Sequence, residues 1–129
     1  MDTTTKPKIA QEILEKIQTG FLEEKQVIVH CCLPALPFFG SMVRVWPTTF
    51  LIDEEHGHRS TLVHAENIGR FPDWTEVPPM QDFWFTLIFT GLPNSCTHFS
   101  LIEFIPQQRG FMVDRIPRNK TDIYRIDVS

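Results

Sequence analysis

Several motifs that identify enzymes are missing from this sequence of 129 residues. It contains no glycine-rich phosphate loop, no G-x-S-x-G motif, no H-E-x-x-H motif and no zinc ribbon. Tyrosine occurs once, whereas phenylalanine occurs eleven times. Because phenylalanine has no polar group, most of these rings are expected in a hydrophobic core. The missing motifs favour a non-enzymatic role, and the sequence predicts no cofactor.

The sequence also lacks an apolar segment that could span a membrane as a helix. The longest apolar run, residues 27–40, is interrupted by His30, Pro34 and Pro37, and a membrane helix needs about 20 residues. The N-terminus "MDTTTKPKIAQEILEK" does not have the basic and apolar regions of a secretory signal. Three cysteines, two of them adjacent, do not suit a disulfide framework. These features predict a soluble, cytoplasmic protein without a membrane partner.

Charge is unevenly distributed along the chain. The formal net charge is −4, which argues against nucleic acid as a partner. The last segment, residues 107–129, nevertheless carries five basic and three acidic residues. Its basic residues are Arg109, Arg115, Arg118, Lys120 and Arg125. They could bind a phosphate or an acidic partner, or pair with the interleaved aspartates across neighbouring strands.

The N-terminal segment fits two kinds of secondary structure. Apolar residues recur at helical spacing between residues 9 and 17, but alternation between residues 13 and 21 also fits a strand. We assign a short helix to residues 8–15 and a strand to residues 16–22. Residues 1–6 are expected to form a disordered tail. No change in composition marks a second domain, so residues 1–129 are predicted to form a single domain.

Short strands separated by proline, glycine and asparagine dominate the remainder. The pattern is clearest in "QVIVHCCL", "MVRVW", "TTFLID", "RSTLVHAENI", "FWFTLIFT", "THFSLIEFI", "GFMVDRI" and "DIYRIDV". The turn "EEHGH" favours a hairpin between the third and fourth of these. No helices alternate with the strands, which disfavours a parallel sheet. The sequence therefore predicts an all-β, two-sheet antiparallel, immunoglobulin-like sandwich of about seven strands.

The most aromatic stretch, "DFWFTLIFTGLPNSCTHFSLIEF", is interpreted as a core hairpin. Alternation places Phe83, Phe85, Leu87 and Phe89 on one face of the first strand. This face is wholly apolar, whereas the opposite face is mixed. The "LPNS" sequence is typical of a β-turn. We therefore expect this turn to set the register of two adjacent strands.

This stretch also carries a resemblance to a known family. The features are an "FTLIF" strand at residues 85–89, an "LP" turn, an "F-x-LIE" strand at residues 99–103 and a Gly-Phe step at residues 110–111. Together they resemble a β-sandwich domain of unknown function in bacterial proteins, found alone or in front of thioredoxin-like domains. The resemblance covers residues 27–128. It implies a fold and not a chemistry, and the C-x-x-C motif of a thioredoxin-like part is missing.

Cysteine and histidine occur together at two places. Cys96 and His98 are two residues apart on a strand, a spacing that could activate a thiolate. No third group that would orient the histidine is evident, so we expect Cys96 to be a half-buried residue beside a turn. Cys31 and Cys32 point to opposite faces of a strand and are interpreted as small core residues.

The densest set of metal-ligand residue types lies around a predicted hairpin tip. His56, His58 and His64 are accompanied by Asp53, Glu54 and Glu55. A His-x-His pair with carboxylates can chelate a metal ion, although hairpin tips are commonly rich in such residues without binding one. A metal- or small-ligand-dependent enzyme that uses His56 and His58 is therefore the alternative function.

Three tryptophans are the leading candidates for recognition. They are Trp46, Trp74 and Trp84, and Trp74 lies in a proline-rich crossing, "RFPDWTEVPP". Aromatic residues are enriched at interfaces, but they also close the open ends of sandwich cores. The main hypothesis is a non-enzymatic module that binds a protein partner or associates with itself as a homodimer. An edge strand is a natural place for such pairing.

Overall fold

The computed structural model describes residues 25–35, 40–106 and 109–129. These residues contain nine strands and no helix. The strands are β1 (Val27–Leu33), β2 (Ser41–Val43), β3 (Thr49–Asp53), β4 (His58–Glu66), β5 (Thr75–Val77), β6 (Phe83–Phe89), β7 (His98–Phe104), β8 (Arg109–Pro117) and β9 (Ile123–Asp127). The predicted helix over residues 8–15 and strand over residues 16–22 lie outside the described residues. Within the described ranges, no helix is long and apolar enough to cross a membrane.

Seven of the strands form one sheet in the order β8-β7-β3-β4-β6-β1-β9, and β2 and β5 form a small second sheet. Neighbouring strands are antiparallel except β1 and β9, which are parallel. The all-β prediction is confirmed. The predicted division into two antiparallel sheets differs from this arrangement, because one mixed sheet contains most of the strands.

The large sheet curls so that its two edge strands, β8 and β9, line one groove with a volume of about 630 Å³. The ring of Phe99 on β7 meets the ring of Tyr124 on β9 edge-to-face, with 5.0 Å between centroids. Both side chains are buried. The curled sheet therefore encloses its own core, which explains why a second large sheet is not needed to cover it.

The core consists of the inward faces that alternation predicts. Phe85, Leu87 and Phe89 are at most 1% exposed, and Phe83 packs partly buried against them. Inward residues of β1, β3 and β7 meet these rings. Each such side chain contributes roughly 1.5–3 kcal/mol by leaving water. The predicted core face of β6 is therefore confirmed.

One predicted hairpin is present and one is wrong. β3 and β4 pair antiparallel, with Phe50 opposite Thr61, as the "EEHGH" turn indicates. β6 and β7 do not pair, because β3 and β4 lie between them in the sheet. A turn does form here, but over residues 93–96, one position later than "LPNS", since the Cys96 amide donates to the Pro93 carbonyl. The turn belongs to a crossing, residues 90–97, that carries the chain over the ends of β4 and β3.

Hydrogen bonds from Arg118 hold this crossing in place. The guanidinium of Arg118 donates to the carbonyls of Leu92, Pro93 and Cys96. It also donates to both carboxylate oxygens of Asp122, at 2.6 and 3.0 Å. Arg118 is therefore a structural residue, and this part of the basic segment is neutralised internally.

Candidate functional site

A cavity of about 530 Å³ opens where the small sheet meets one end of the large sheet. Its wall includes Arg44, Trp46, Phe71 and Trp74, which we call the aromatic cluster. Trp74 is 53% exposed and Phe71 is 41% exposed. An apolar concavity with a few polar groups is typical of a binding site.

Backbone pairing brings the two halves of the aromatic cluster together. Val45 is fully buried, and its amide and carbonyl bond to Gly69 and Phe71. A Cβ atom at Gly69 would lie 2.6 Å from the carbonyl oxygen of Asp73, so only glycine permits this approach. The segment 67–74 is thereby held along residues 44–46, which places its aromatic rings beside those of Trp46.

The rings of the aromatic cluster hold a guanidinium. Trp46 and Phe71 stack with 3.9 Å between ring centroids. The Cζ atom of Arg44 lies 3.8 Å from the centroid of Trp74, 4.6 Å from that of Phe71 and 5.6 Å from that of Trp46. Cation–π contacts of this kind contribute about 0.5–2 kcal/mol each. The guanidinium of Arg44 therefore contacts all three rings and links Trp74 to the stacked pair of Trp46 and Phe71.

The hydrogen bonds of Arg44 are incomplete. Its Nη1 atom donates to the carbonyl of Pro72 at 3.0 Å. Its Nε atom is buried and has no hydrogen-bond partner, and it is the only such side-chain nitrogen or oxygen in the described parts of the chain. A buried donor without an acceptor costs about 1–3 kcal/mol. The cluster is therefore one acceptor short.

A carboxylate forms part of the same wall. Glu103 is 7% exposed, and its two oxygens accept from the amides of Trp46 and Phe111. Burial raises the pKa of Glu103, although these hydrogen bonds act in the opposite direction. A Cβ atom at Gly110 would meet Glu103 Oε1 at 2.5 Å, so glycine leaves room for the carboxylate. Glu103 thus ties β7 to Trp46 and to β8.

The structure brings together two of the three tryptophans named from the sequence. Trp46 and Trp74 both line the cavity and contact the guanidinium of Arg44. Trp84 does not line it; this side chain is 45% exposed on the outer face of β6. The three residues therefore do not form one site.

Of the three histidines named from the sequence, only His56 lies in a group of metal-ligand side chains. Donor atoms of Asp53, Glu55 and His56 lie within 4.8 Å of one another. His56 Nδ1 bonds to Asp53 at 2.8 Å. Burial raises the pKa of Asp53, but the hydrogen bonds from His56 lower it below its usual range on balance. Because this hydrogen bond accounts for the proximity, the cluster is not in itself evidence for a metal site.

The other two histidines have different partners. His58 bonds to Ser60 and to the carbonyl of Gly91. His64 bonds to Glu66. It lies six residues after His58 on β4, and the rise of a strand places the two residues roughly 20 Å apart. A site shared by His56, His58 and His64 is therefore not assembled, and metal binding stays a prediction from sequence.

The cysteines are in environments that disfavour reactivity. Cys96 is 2% exposed and donates to the backbone carbonyl of His98 and not to its ring. Burial and the charge of Asp53 raise the pKa of Cys96. Burial raises the pKa of Cys31 to about 12. Cys31 lies in the core as expected. Cys96 was expected to be half-buried but is buried, and Cys32, expected in the core, is only half-buried.

Sequence reasoning missed Arg44, Phe71 and Glu103. Arg44 could have been found, because alternation in "MVRVW" places it on the same strand face as Met42 and Trp46. Glu103 carried a weaker signal, since it shares the inward face of β7 with Phe99 and Leu101. Nothing in the sequence indicated that Phe71 stacks on Trp46, because that contact depends on the crossing of two distant segments.

No family model, no curated protein and no solved structure matches this chain. The resemblance to a bacterial β-sandwich domain therefore stays a prediction from the sequence.

Proposed function

We propose that this chain is a non-enzymatic module that binds a protein partner through the aromatic cluster of Arg44, Trp46, Phe71 and Trp74. The observation that carries the proposal is the set of exposed rings that surrounds the guanidinium of Arg44 beside an apolar cavity. Exposed apolar groups that line a concavity are typical of a binding site. A bound segment would cover these rings and remove them from water.

The surroundings of the cluster indicate the chemistry of this segment. Met42 and Trp74 are 54% and 53% exposed beside the cavity, and they offer apolar area to a peptide. Arginine and tryptophan are the residue types that most often dominate binding energy at interfaces. The bound segment therefore combines an apolar side chain, packed on the rings, with a carboxylate or carbonyl directed at Arg44.

Selection of random peptides displayed on phage, with the purified chain as target, tests this proposal. Selected peptides are expected to contain an apolar residue near an acidic one. Replacing Trp74 with alanine is expected to weaken their binding at least about tenfold, since anchor residues contribute about 2 kcal/mol or more. Isothermal titration calorimetry measures the change in dissociation constant.

Trp84→Ala is the matched control, because it removes the same side chain from a position outside the cavity. This variant is expected to bind the selected peptides as the parent chain does. Equal loss in both variants would place binding elsewhere or reveal a general effect on folding, and unchanged binding by Trp74→Ala would overturn the proposal.

A further inference from the structure

The large sheet leaves a seam between its two edge strands, β8 and β9. Among the described strands, β8 pairs only with β7, and β9 pairs only with β1. Paired strands lie about 4.8 Å apart, whereas the Cα atoms of β8 and β9 lie almost everywhere more than 8 Å apart. The groove of about 630 Å³ runs along this seam. Direct pairing of the two edges is therefore not made, and one inserted strand would need a separation of about 10 Å between them.

The backbone of β9 directs hydrogen-bonding groups into the seam. The amide of Ile28 on β1 donates to the carbonyl of Asp122, which directly precedes β9. Alternate residues of a strand direct both their amide and their carbonyl to the same side. The even-numbered residues of β9 therefore face β1, whereas the amides and carbonyls of Arg125 and Asp127 point toward β8. An open edge of this kind can accept a further strand.

The hydrophobic core is only partly covered along the seam. On the interior strands, the inward residues Leu101 of β7 and Cys31 of β1 are fully buried. Their neighbours across the sheet are Val113 on β8 and Ile126 on β9. Both are only half-buried, and both line the groove. A segment that placed apolar side chains over the seam would remove this surface from water.

We propose that residues 16–22 of this chain occupy the seam as an additional strand and close the sheet. These residues lie outside the described ranges, and the sequence predicts a strand there. Alternation places Ile17, Thr19 and Phe21 on one face, while the intervening residues are mostly polar or small. The first face suits the partly covered core. The seam is separate from the aromatic cluster, so its role does not depend on the proposed function.

The described part of the chain begins next to the seam. Lys25 borders a depression together with Arg118 and Asn119, and the latter two residues also line the groove. A link formed by residues 23–26 can span about 13 Å when extended. To reach the seam from β1 it has to cross β9, a distance of two strand spacings or about 10 Å. The link is therefore long enough to connect the added strand to β1.

The short link also sets the direction of the added strand. Because residues 16–22 directly precede β1, they run opposite to it and therefore antiparallel to β9, which is parallel to β1. Leu22 then lies beside Ile123 at the start of β9, and Gln18 lies beside Asp127 near its end. Ile123 is 46% exposed, so the Leu22 side chain would cover an apolar neighbour on the outer face.

Hydrogen exchange of the 129-residue chain, followed by NMR, tests whether the seam is filled. The amides of Arg125 and Asp127 are expected to exchange at least about a hundredfold more slowly than exposed amides, after correction for intrinsic rates. These rates are expected to stay the same after about tenfold dilution, because the added strand belongs to the same chain. Fast exchange of both amides overturns the proposal. So does protection that disappears on dilution, which would place a second copy in the seam.

Through-space contacts in the NMR spectra identify the segment that fills the seam. Phe21 is expected to contact Ile116, which lines the groove near the start of β9. Ile17 is expected to contact Val128, which lies at the opposite end of the seam beside β8. Slow exchange without contacts from residues 16–22 would show that a different segment covers β9, and would overturn the proposal.

Phe21→Ala removes the largest apolar side chain of the added strand. It is expected to speed exchange of the Arg125 and Asp127 amides at least about tenfold, since truncating a buried aromatic ring destabilises its contacts. The amide of Val29, which points toward β6, is expected to stay slow and reports that the rest of the sheet is folded. Gln18→Ala is the matched control, because it truncates a side chain on the outer face, and its rates are expected within about threefold of the parent chain. Equal effects of the two variants would contradict the proposed strand.

Discussion

Replacing Leu87 with aspartate is expected to leave no folded protein at neutral pH. The Leu87 side chain is fully buried in β6, between the inward faces of Phe85 and Phe89. A carboxylate at this position would have neither water nor a counter-charge, and such burial costs several kcal/mol. Typical domains are stable by only about 5–15 kcal/mol. Circular dichroism of the purified variant, or its recovery only from inclusion bodies, measures the effect.

Thr86→Asp is the control for this substitution. Thr86 is the next residue on the same strand, but its side chain is on the outer face and bonds to His30. A carboxylate there can accept from the same ring and reach water. The control variant is expected to fold. If Leu87→Asp also folds with the parent spectrum, β6 is not a core strand.

Replacing Arg118 with alanine is expected to lower the free energy of unfolding by about 3–5 kcal/mol, the usual effect of removing one partner from a buried ion pair. Asp122 is 2% exposed and would keep its charge without the guanidinium. The carbonyls of Leu92, Pro93 and Cys96 would also lose their donors. Urea denaturation followed by fluorescence measures the loss.

The effect of Arg118→Ala depends on pH. Burial raises the pKa of Asp122, but hydrogen bonds from Arg118 and Tyr124 hold it below its usual range on balance. The stability that the pair contributes is therefore present above about pH 4, near the pKa of an unfolded aspartate. It is lost as the pH falls through the folded pKa. The difference in stability between the parent chain and the variant is therefore expected to shrink as the pH falls through the folded pKa of Asp122, whereas the part due to the three lost carbonyl bonds remains.

Lys120→Ala is the comparison for this prediction, since Lys120 is an exposed cation in the same loop. Its removal is expected to change stability by less than about 0.5 kcal/mol. An equal loss of stability in Arg118→Ala and Lys120→Ala would show that the bonds of Arg118 to the crossing contribute little. If the difference in stability between the two variants stays the same at low pH, Asp122 is not the charged partner of Arg118.

The sequence predicted local structure well and strand order poorly. Alternation identified the inward residues of β6, and the "EEHGH" turn identified the β3–β4 hairpin. The β6–β7 pairing was wrong because a β-turn signal reports only that the chain reverses. Which strand the chain reaches is decided by long-range contacts, here the bonds of Arg118 to the crossing. The parallel pairing of β9 with β1 also joins segments that are far apart in the sequence, so no local pattern predicts it.

Only those residues of the candidate site that lie on one segment of the chain could be predicted from the sequence. Trp46 was named from its residue type, and Arg44 shares its strand face. Trp74 and Phe71 reach them through the backbone bonds of Val45, a contact between segments about 25 residues apart that no local pattern encodes. Residue type alone also named Trp84 and His64, which the fold places elsewhere. Chemistry-bearing residues form a site only after topology has assembled them.

The indole N–H signals of the three tryptophans in a nitrogen-15 NMR spectrum test the aromatic cluster most directly. Each signal can be assigned with a Trp→Phe variant. On titration with a selected peptide, the signals of Trp46 and Trp74 are expected to move, whereas that of Trp84 stays in place. A titration that moves only Trp84, or a bound peptide that moves none of the three, would contradict binding at the aromatic cluster.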